Sequence, residues 1–440
     1  MRLIFIFLVL ISFYSCSFDN KTGIWSNEND ISAIDKELDK YKDLISSNES
    51  FNQIIDIDPQ FKFNLKDQKI NFEWLDIFYN KENNQGNFKY QNLNKLIYKS
   101  KKITKNVVSQ NFLYENGNII TSDEKGNLII FSIKENKILN KFNFYKNRYK
   151  GFKKKLNIIV ENNIIYISDN IGFLYSYDYK KEKIKWAKNY KIPFRSNLKI
   201  LDKRIVASNQ NNTLYFFNKD NGEIIKFIPT EETVLQNRFI SNLARNDKNL
   251  FFLNTYGSLY SIDLSNMSLN WFININQSLD LSPSNLFVGN TIIIHKDRLI
   301  ITSNQFLYVL NATSGSIIYK QNYSSLISPV AVDDYLFIVS KNNLIIASNL
   351  KTGEVIFSYD INEKIANHLN QKKKTVYFKK LTVADNKIIL FLKNSYLLEF
   401  KINGNLNNIK KLPSKINSNP IFIDGKILYI DKKNKLLIIN

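Results

Sequence analysis

Few side chains in this chain have the type and spacing to do chemistry. The only cysteine is Cys16. A lone thiol cannot close an internal disulfide, so in an exported protein its position needs another explanation. The two histidines, His295 and His368, lie far apart and have neither cysteine nor paired carboxylates beside them, which argues against a zinc site. Glu231-Glu232 is a carboxylate doublet, but it precedes Thr233-Val234 between strand-like segments and reads as a solvated loop. No Gly-Lys-Thr/Ser phosphate loop, nucleophile elbow or calcium loop is present. The sequence therefore predicts no catalytic residues, no bound metal and no cofactor.

Cys16 closes a segment with its own logic. Arg2 is followed by an apolar run over 3–11 and then Ser12-Phe13-Tyr14-Ser15-Cys16. That run is too short to span a bilayer and has the basic head and apolar middle of a secretion signal. Residues 1–15 are expected to be a signal peptide. Residues 16–60 are mostly polar, with one amphipathic stretch over 31–45 that predicts a short helix, and are expected to tether the folded body, 61–440.

The formal charge is +21, with 61 Lys and Arg against 40 Asp and Glu. Clustered cations would suit nucleic acid. Here lysines are scattered through every segment, the densest runs being Lys153-Lys154-Lys155 and Lys372-Lys373-Lys374, so a solvated, compositionally biased surface is expected and no nucleic acid.

The elements that hold such a surface follow from a repeat. From about residue 61, short runs of β-branched and aromatic residues alternate with polar turns, the pattern of an all-β fold. One unit recurs: Gly172-Phe-Leu-Tyr-Ser-Tyr-Asp through Trp186, Asn212-Thr-Leu-Tyr-Phe-Phe-Asn through Phe227, and Gly257-Ser-Leu-Tyr-Ser-Ile-Asp through Trp271. Further copies run to Tyr319 and Phe357. The anchors Leu128, Leu174, Leu214, Leu259, Leu307, Leu344, Leu397 and Leu436 define eight units at spacings of 46, 40, 45, 48, 37, 53 and 39 residues. Four short strands in such a period make a propeller blade, so the prediction is an eight-bladed β-propeller of four-stranded antiparallel blades. Trp186, Phe227, Trp271, Tyr319 and Phe357 follow their anchors by twelve or thirteen residues and are expected to pack between blades. The chain stops just after Leu436, one strand short, whereas residues 94–101 look like a fourth strand without its first three. Their pairing would close the ring and remove two open edges.

The Leu-Tyr-x-x-Asp/Asn units, with Lys351-Thr352-Gly353 and Thr313-Ser314-Gly315, resemble quinoprotein-type (PQQ-like) propeller repeats. Together with the Cys16 segment, which resembles a bacterial lipoprotein signal, the chain resembles the BamB family of outer-membrane β-barrel assembly lipoproteins. Asn71-Phe72-Glu73-Trp74 and the strand after it resemble the N-terminal strap of some members of that family. The resemblance implies that Cys16 is lipidated and that Ser17, not Asp, directs the protein to the periplasmic face of the outer membrane. It also implies a non-catalytic scaffold that binds the barrel-forming subunit, unfolded barrel proteins, or both. The family's partner-binding loop falls on Ile192-Pro193-Phe194-Arg195, which assigns Ile192, Phe194 and Arg195 to the partner. Its second, acidic patch aligns with residues 237–239, where no acid is found. Two alternatives stand beside this reading: a degenerate quinoprotein-type enzyme or ligand sensor, and a surface-attached adhesion propeller.

Overall fold

With only 13 glycines, the chain makes many of its turns with Asn and Asp. Asn116, Asn136, Asn212, Asn343 and Asn434 adopt positive φ, which short polar side chains tolerate better than branched ones. Other side chains hold the turns open for the strands that follow. The carboxylate of Asp169 accepts from the backbone N–H groups of Ile171, Gly172 and Phe173 at 2.8–2.9 Å, and Asn209, Asn254 and Asp431 do the same in their own turns. The acid or amide that ends each Leu-Tyr strand caps the next turn in the same way, as Asn311 and Asn349 do.

The computed structural model describes residues 17–18, 25–26, 51–146, 148–232, 239–276 and 286–440. Cys16 and the helix expected over 31–45 lie outside them. The chain divides at Phe51 into two units. In the first, Ser17–Phe18 pairs antiparallel with Trp25–Ser26.

The second unit is the expected propeller, with eight sheets each built on four antiparallel strands. Blades 1 to 8 occupy 113–143, 156–189, 199–228, 242–274, 293–321, 330–360, 378–411 and 421–439. Every anchor leucine lies in the third strand of its blade, at most 1% exposed. The last blade is completed by Leu96–Lys102, which pairs antiparallel with Lys435–Ile439, so the predicted closure is present. One helix among the described residues, Ile361–Leu369, follows blade 6 and is capped by Asp360.

The compact unit begins at Asn52, within the stretch expected to be tether. Ile55 bridges Ser358 on the outer strand of blade 6 through reciprocal backbone bonds of 3.0 and 2.9 Å. Phe63 then packs among Tyr335, Phe337 and Phe357.

The inter-blade aromatics behave as predicted with one exception. Trp186, Trp271, Tyr319 and Phe357 each abut a positive-φ glycine of the following blade: Gly222, Gly315, Gly353 and Gly404. Phe227 is 57% exposed. The register gives the reason: Trp186, Trp271 and Tyr319 lie opposite Ser176, Ser261 and Val309, two residues after their anchors, whereas in blade 3 that place, opposite Phe216, is taken by Lys226, and Phe227 pairs with Tyr215 on the other face of the strand.

Candidate functional site

A propeller leaves the inner edge of every innermost strand facing its central channel, and unpaired backbone groups there need partners. Residues 69–91 supply them. This strap runs round the ring at the end of the channel where each innermost strand turns into the second. Trp74 exchanges backbone bonds with Tyr114 of blade 1 at 2.8 and 2.9 Å, and the Leu75 carbonyl accepts from Val160 of blade 2 at 3.0 Å. The Lys81 and Glu82 carbonyls accept from Arg245 of blade 4 and Ile294 of blade 5, both at 2.9 Å. The Asn83 amide donates to Leu243 and Ile292, and that of Asn84 to Ala331 of blade 6. Asn87–Phe88 pairs in parallel with Val383 and Ala384 of blade 7, and the Asn71 carbonyl accepts from Asp424 of blade 8 at 2.7 Å.

Blade 3 meets the strap through a buried ion pair. Lys199 Nζ lies 2.6 Å from an Asp76 carboxylate oxygen, with both side chains almost wholly buried. It also donates to the Asn80 carbonyl and to Asn83 Oδ1 at 2.9 and 2.6 Å. Burial lowers the Lys199 pKa and Asp76 works against that shift. With three acceptors the ammonium is fully bonded, which such a charge requires.

The strap floors a cavity of about 100 Å³ in the channel. Its walls include Trp74, Gln85, Asn111, Lys379, Lys380 and Asn419. Lys380 Nζ donates to the Pro420 carbonyl at 2.6 Å and lies over the Trp74 ring, 4.6 Å from its centre. Lys379 Nζ donates to the Asn417 carbonyl at 2.7 Å. Burial pulls Lys380 down to about 7. Burial, helped by Lys393 and Lys432, pulls Lys379 down to about 8.

The loop Ile192-Pro193-Phe194-Arg195 lies on the opposite face, where outer strands return to the next innermost strand. It is pinned from both sides: Phe194 N–H donates to Asp169 of blade 2, Arg195 N–H to Ser208 of blade 3, and Gln210 N–H to the Pro193 carbonyl, all at 2.8–2.9 Å. The expectation that its side chains face outward fails for Phe194. That ring is 3% exposed and meets Tyr190 and Phe217 edge-on, because the connection crosses the end of blade 3 and its aromatic drops into the core. Ile192 and Arg195 are half-buried, and Arg195 donates to the Phe239 carbonyl at 3.3 Å. The loop is a fixed ledge.

The other residues singled out in the sequence have structural roles or none. His295 bonds through its two ring nitrogens to Asn84 at 3.0 Å and to the Asp333 carbonyl at 2.8 Å, tying the strap to blades 5 and 6. His368 is exposed on the helix. Glu231 accepts from Asn254, Ser258 and Tyr260 of blade 4, so this acid braces a connection and is not simply solvated. No group of His, Cys, Asp and Glu suited to a metal occurs among the described residues, and no helix among them is long and apolar enough to cross a membrane.

A family model described as outer membrane protein assembly factor BamB matches residues 146–359, a span that contains the ledge. No curated protein matches. Among solved structures, BamB from Moraxella catarrhalis is similar with a TM-score of 0.62 at 11% identity, covering 79% of this chain and 99% of that one. The computationally designed Ika8 protein gives 0.58 at 9%, covering 78% and 99%. A quinohemoprotein alcohol dehydrogenase from Pseudomonas putida gives 0.61 at 8%, covering 84% and 80%. At such identities the structures establish the fold, and the family match establishes BamB-like repeats, as the sequence implied.

Proposed function

We propose that this BamB-like propeller is a non-catalytic scaffold of outer-membrane β-barrel assembly, held at the periplasmic face of the outer membrane by a lipid on Cys16. The single observation that supports it most is the match of the assembly-factor model across residues 146–359. The ledge inside that span suits an interface anchor, since it is rigid before any partner arrives and presents an aliphatic group beside an arginine. In this reading Ile192 and Arg195 contact the barrel-forming subunit and Phe194 sets their positions from beneath. Unfolded barrel proteins are a second class of partner.

Affinity capture of the full chain from its own membranes tests the reading, with the barrel-forming subunit as the expected co-purifying protein. Its absence from the captured material, with the propeller folded, would overturn the scaffold role. Cys16→Ser tests the anchor separately: the variant should leave the membrane fraction, and retention after high-salt washing would contradict lipidation.

A further inference from the structure

The channel cavity has a composition the scaffold role does not use. Among the described residues its walls carry two lysines and several side-chain amides and no carboxylate, histidine or tyrosine. The strap closes the end of the channel beneath it. The cavity walls include Asn111, Thr291, Ser328 and Asn419, each just ahead of its innermost strand, and hence toward the face that carries the ledge.

The donors around this space are incompletely used. Lys379 and Lys380 each donate to one backbone carbonyl, at 2.7 and 2.6 Å, and an ammonium has three hydrogens to give. Gln85 accepts from Thr382 through Oε1 at 2.6 Å, and Asn111 accepts from Asn419 through Oδ1 at 2.8 Å. Both pairings engage the amide oxygen, and neither NH₂ group makes a hydrogen bond to the described residues. Trp74 supplies an aromatic wall beneath Lys380. Two cations and two side-chain amides round a polar space, with no acid among its described lining residues, suit an anion. A volume of about 100 Å³ holds a few waters or a solute of a few heavy atoms.

We propose that the strapped end of the central channel is a binding site for a small oxyanion, held by Lys379, Lys380, Gln85 and Asn111. The strap is part of the site, since it provides Gln85 and Trp74 and excludes solvent from below. Without an anion, burial lowers the affinity of both lysines for protons. A bound anion restores it, so binding takes up protons near neutral pH. The charged form binds, so affinity is full below about 7 and falls as pH rises through 7 to 8, the values of Lys380 and Lys379. Lys393 and Lys432 are the charged groups that act on the pair, both on Lys379.

Titration calorimetry of the full chain with sulfate, whose charge is constant over this range, tests the site, with acetate as the planar counterpart. Saturable 1:1 binding is expected at pH 6, weakening by pH 9, with a heat that depends on the buffer's ionisation enthalpy. Lys379→Gln with Lys380→Gln should lower affinity at least about tenfold, the loss of one or more charge-assisted bonds. Gln85→Ala should weaken binding less and leaves the lysines in place should the double variant misfold. Lys372→Gln, Lys373→Gln and Lys374→Gln together, on the exposed surface, should change nothing. No saturable binding of either anion, or binding that survives the channel variants and is lost with the surface ones, would overturn the proposal.

Discussion

Trp186 of blade 2 lies against the bare backbone of Gly222 in blade 3: a Cβ at Gly222 would sit 2.5 Å from the indole carbons. The indole N–H donates to the Lys219 carbonyl of the same turn at 2.9 Å. Gly222 also has φ +74°, so one glycine provides both the turn and the inter-blade seat. Gly222→Ala should therefore lose stability twice, by roughly 1 kcal/mol or more for the backbone and about 1–3 kcal/mol for overpacking. Gly117→Ala, at φ +79° with nothing within 4 Å, should lose only the backbone contribution. Urea unfolding of the two variants makes the comparison, and equal losses would mean that the ring contact contributes nothing.

Ring closure predicts a contrast between truncations. Removal of residues 17–51 leaves the eight blades, the strap and the closing strand in place, and the ring should still fold. Removal of 17–103 takes away the strap and the strand Leu96–Lys102, exposing the edge of Lys435–Ile439 and the inner edges of the blades. The second protein should unfold at much lower temperature or fail to fold. Equal midpoints for both truncations would contradict closure.

The Lys199 and Asp76 pair predicts an asymmetry. Asp76→Ala leaves a buried ammonium with only neutral acceptors and should cost about 3–5 kcal/mol. Lys199→Met with Asp76→Leu removes both charges and should restore a large part of that loss. Chemical denaturation of the two variants provides the check. A double variant no more stable than Asp76→Ala would show that the strap needs the pair itself.

Much of this architecture is legible in the sequence, for physical reasons that also explain the failures. Blade number follows from eight leucines because each lies buried in the third strand of its blade, where substitution leaves a cavity, although in blade 6 Leu344 precedes by one residue the place that Ile345 takes in register. Closure follows from a strand missing at one end and spare at the other. The strap is only partly legible: Asn71 to Trp74 carry a family resemblance, but residues 80–87 bond through carbonyls and amides to the inner strand edges, and such contacts impose no hydrophobic period. Phe227 departs from the expectation because it stands thirteen residues after Leu214, one place past the inward position held by Lys226, and so faces the other side of its strand. The resemblance assigns Phe194 to a partner, as suits a connection at the surface, whereas this connection crosses a blade end and buries the ring. Lys379 and Lys380 follow Lys372-Lys373-Lys374 and look like more of a solvated run until the ring brings their strand to the channel.

The ledge reading separates fold from binding. Phe194→Ala removes a core ring and should cost about 3–5 kcal/mol, whereas Ile192→Ala should cost less, being half-buried, and Arg195→Glu, which loses the bond to the Phe239 carbonyl, about 1–3 kcal/mol. Each of these two should weaken capture of the barrel-forming subunit, by about tenfold or more if it is an anchor.

The most direct test of the scaffold account is photo-crosslinking in intact cells from a reactive residue placed at Ile192 on the ledge, with Phe72 on the strap as the control. Phe72 is 62% exposed and lies on the opposite face. The account predicts a crosslink from position 192 to the barrel-forming subunit and none to it from position 72. A folded, membrane-bound protein that gives no such crosslink from 192, or gives it only from 72, would contradict the account.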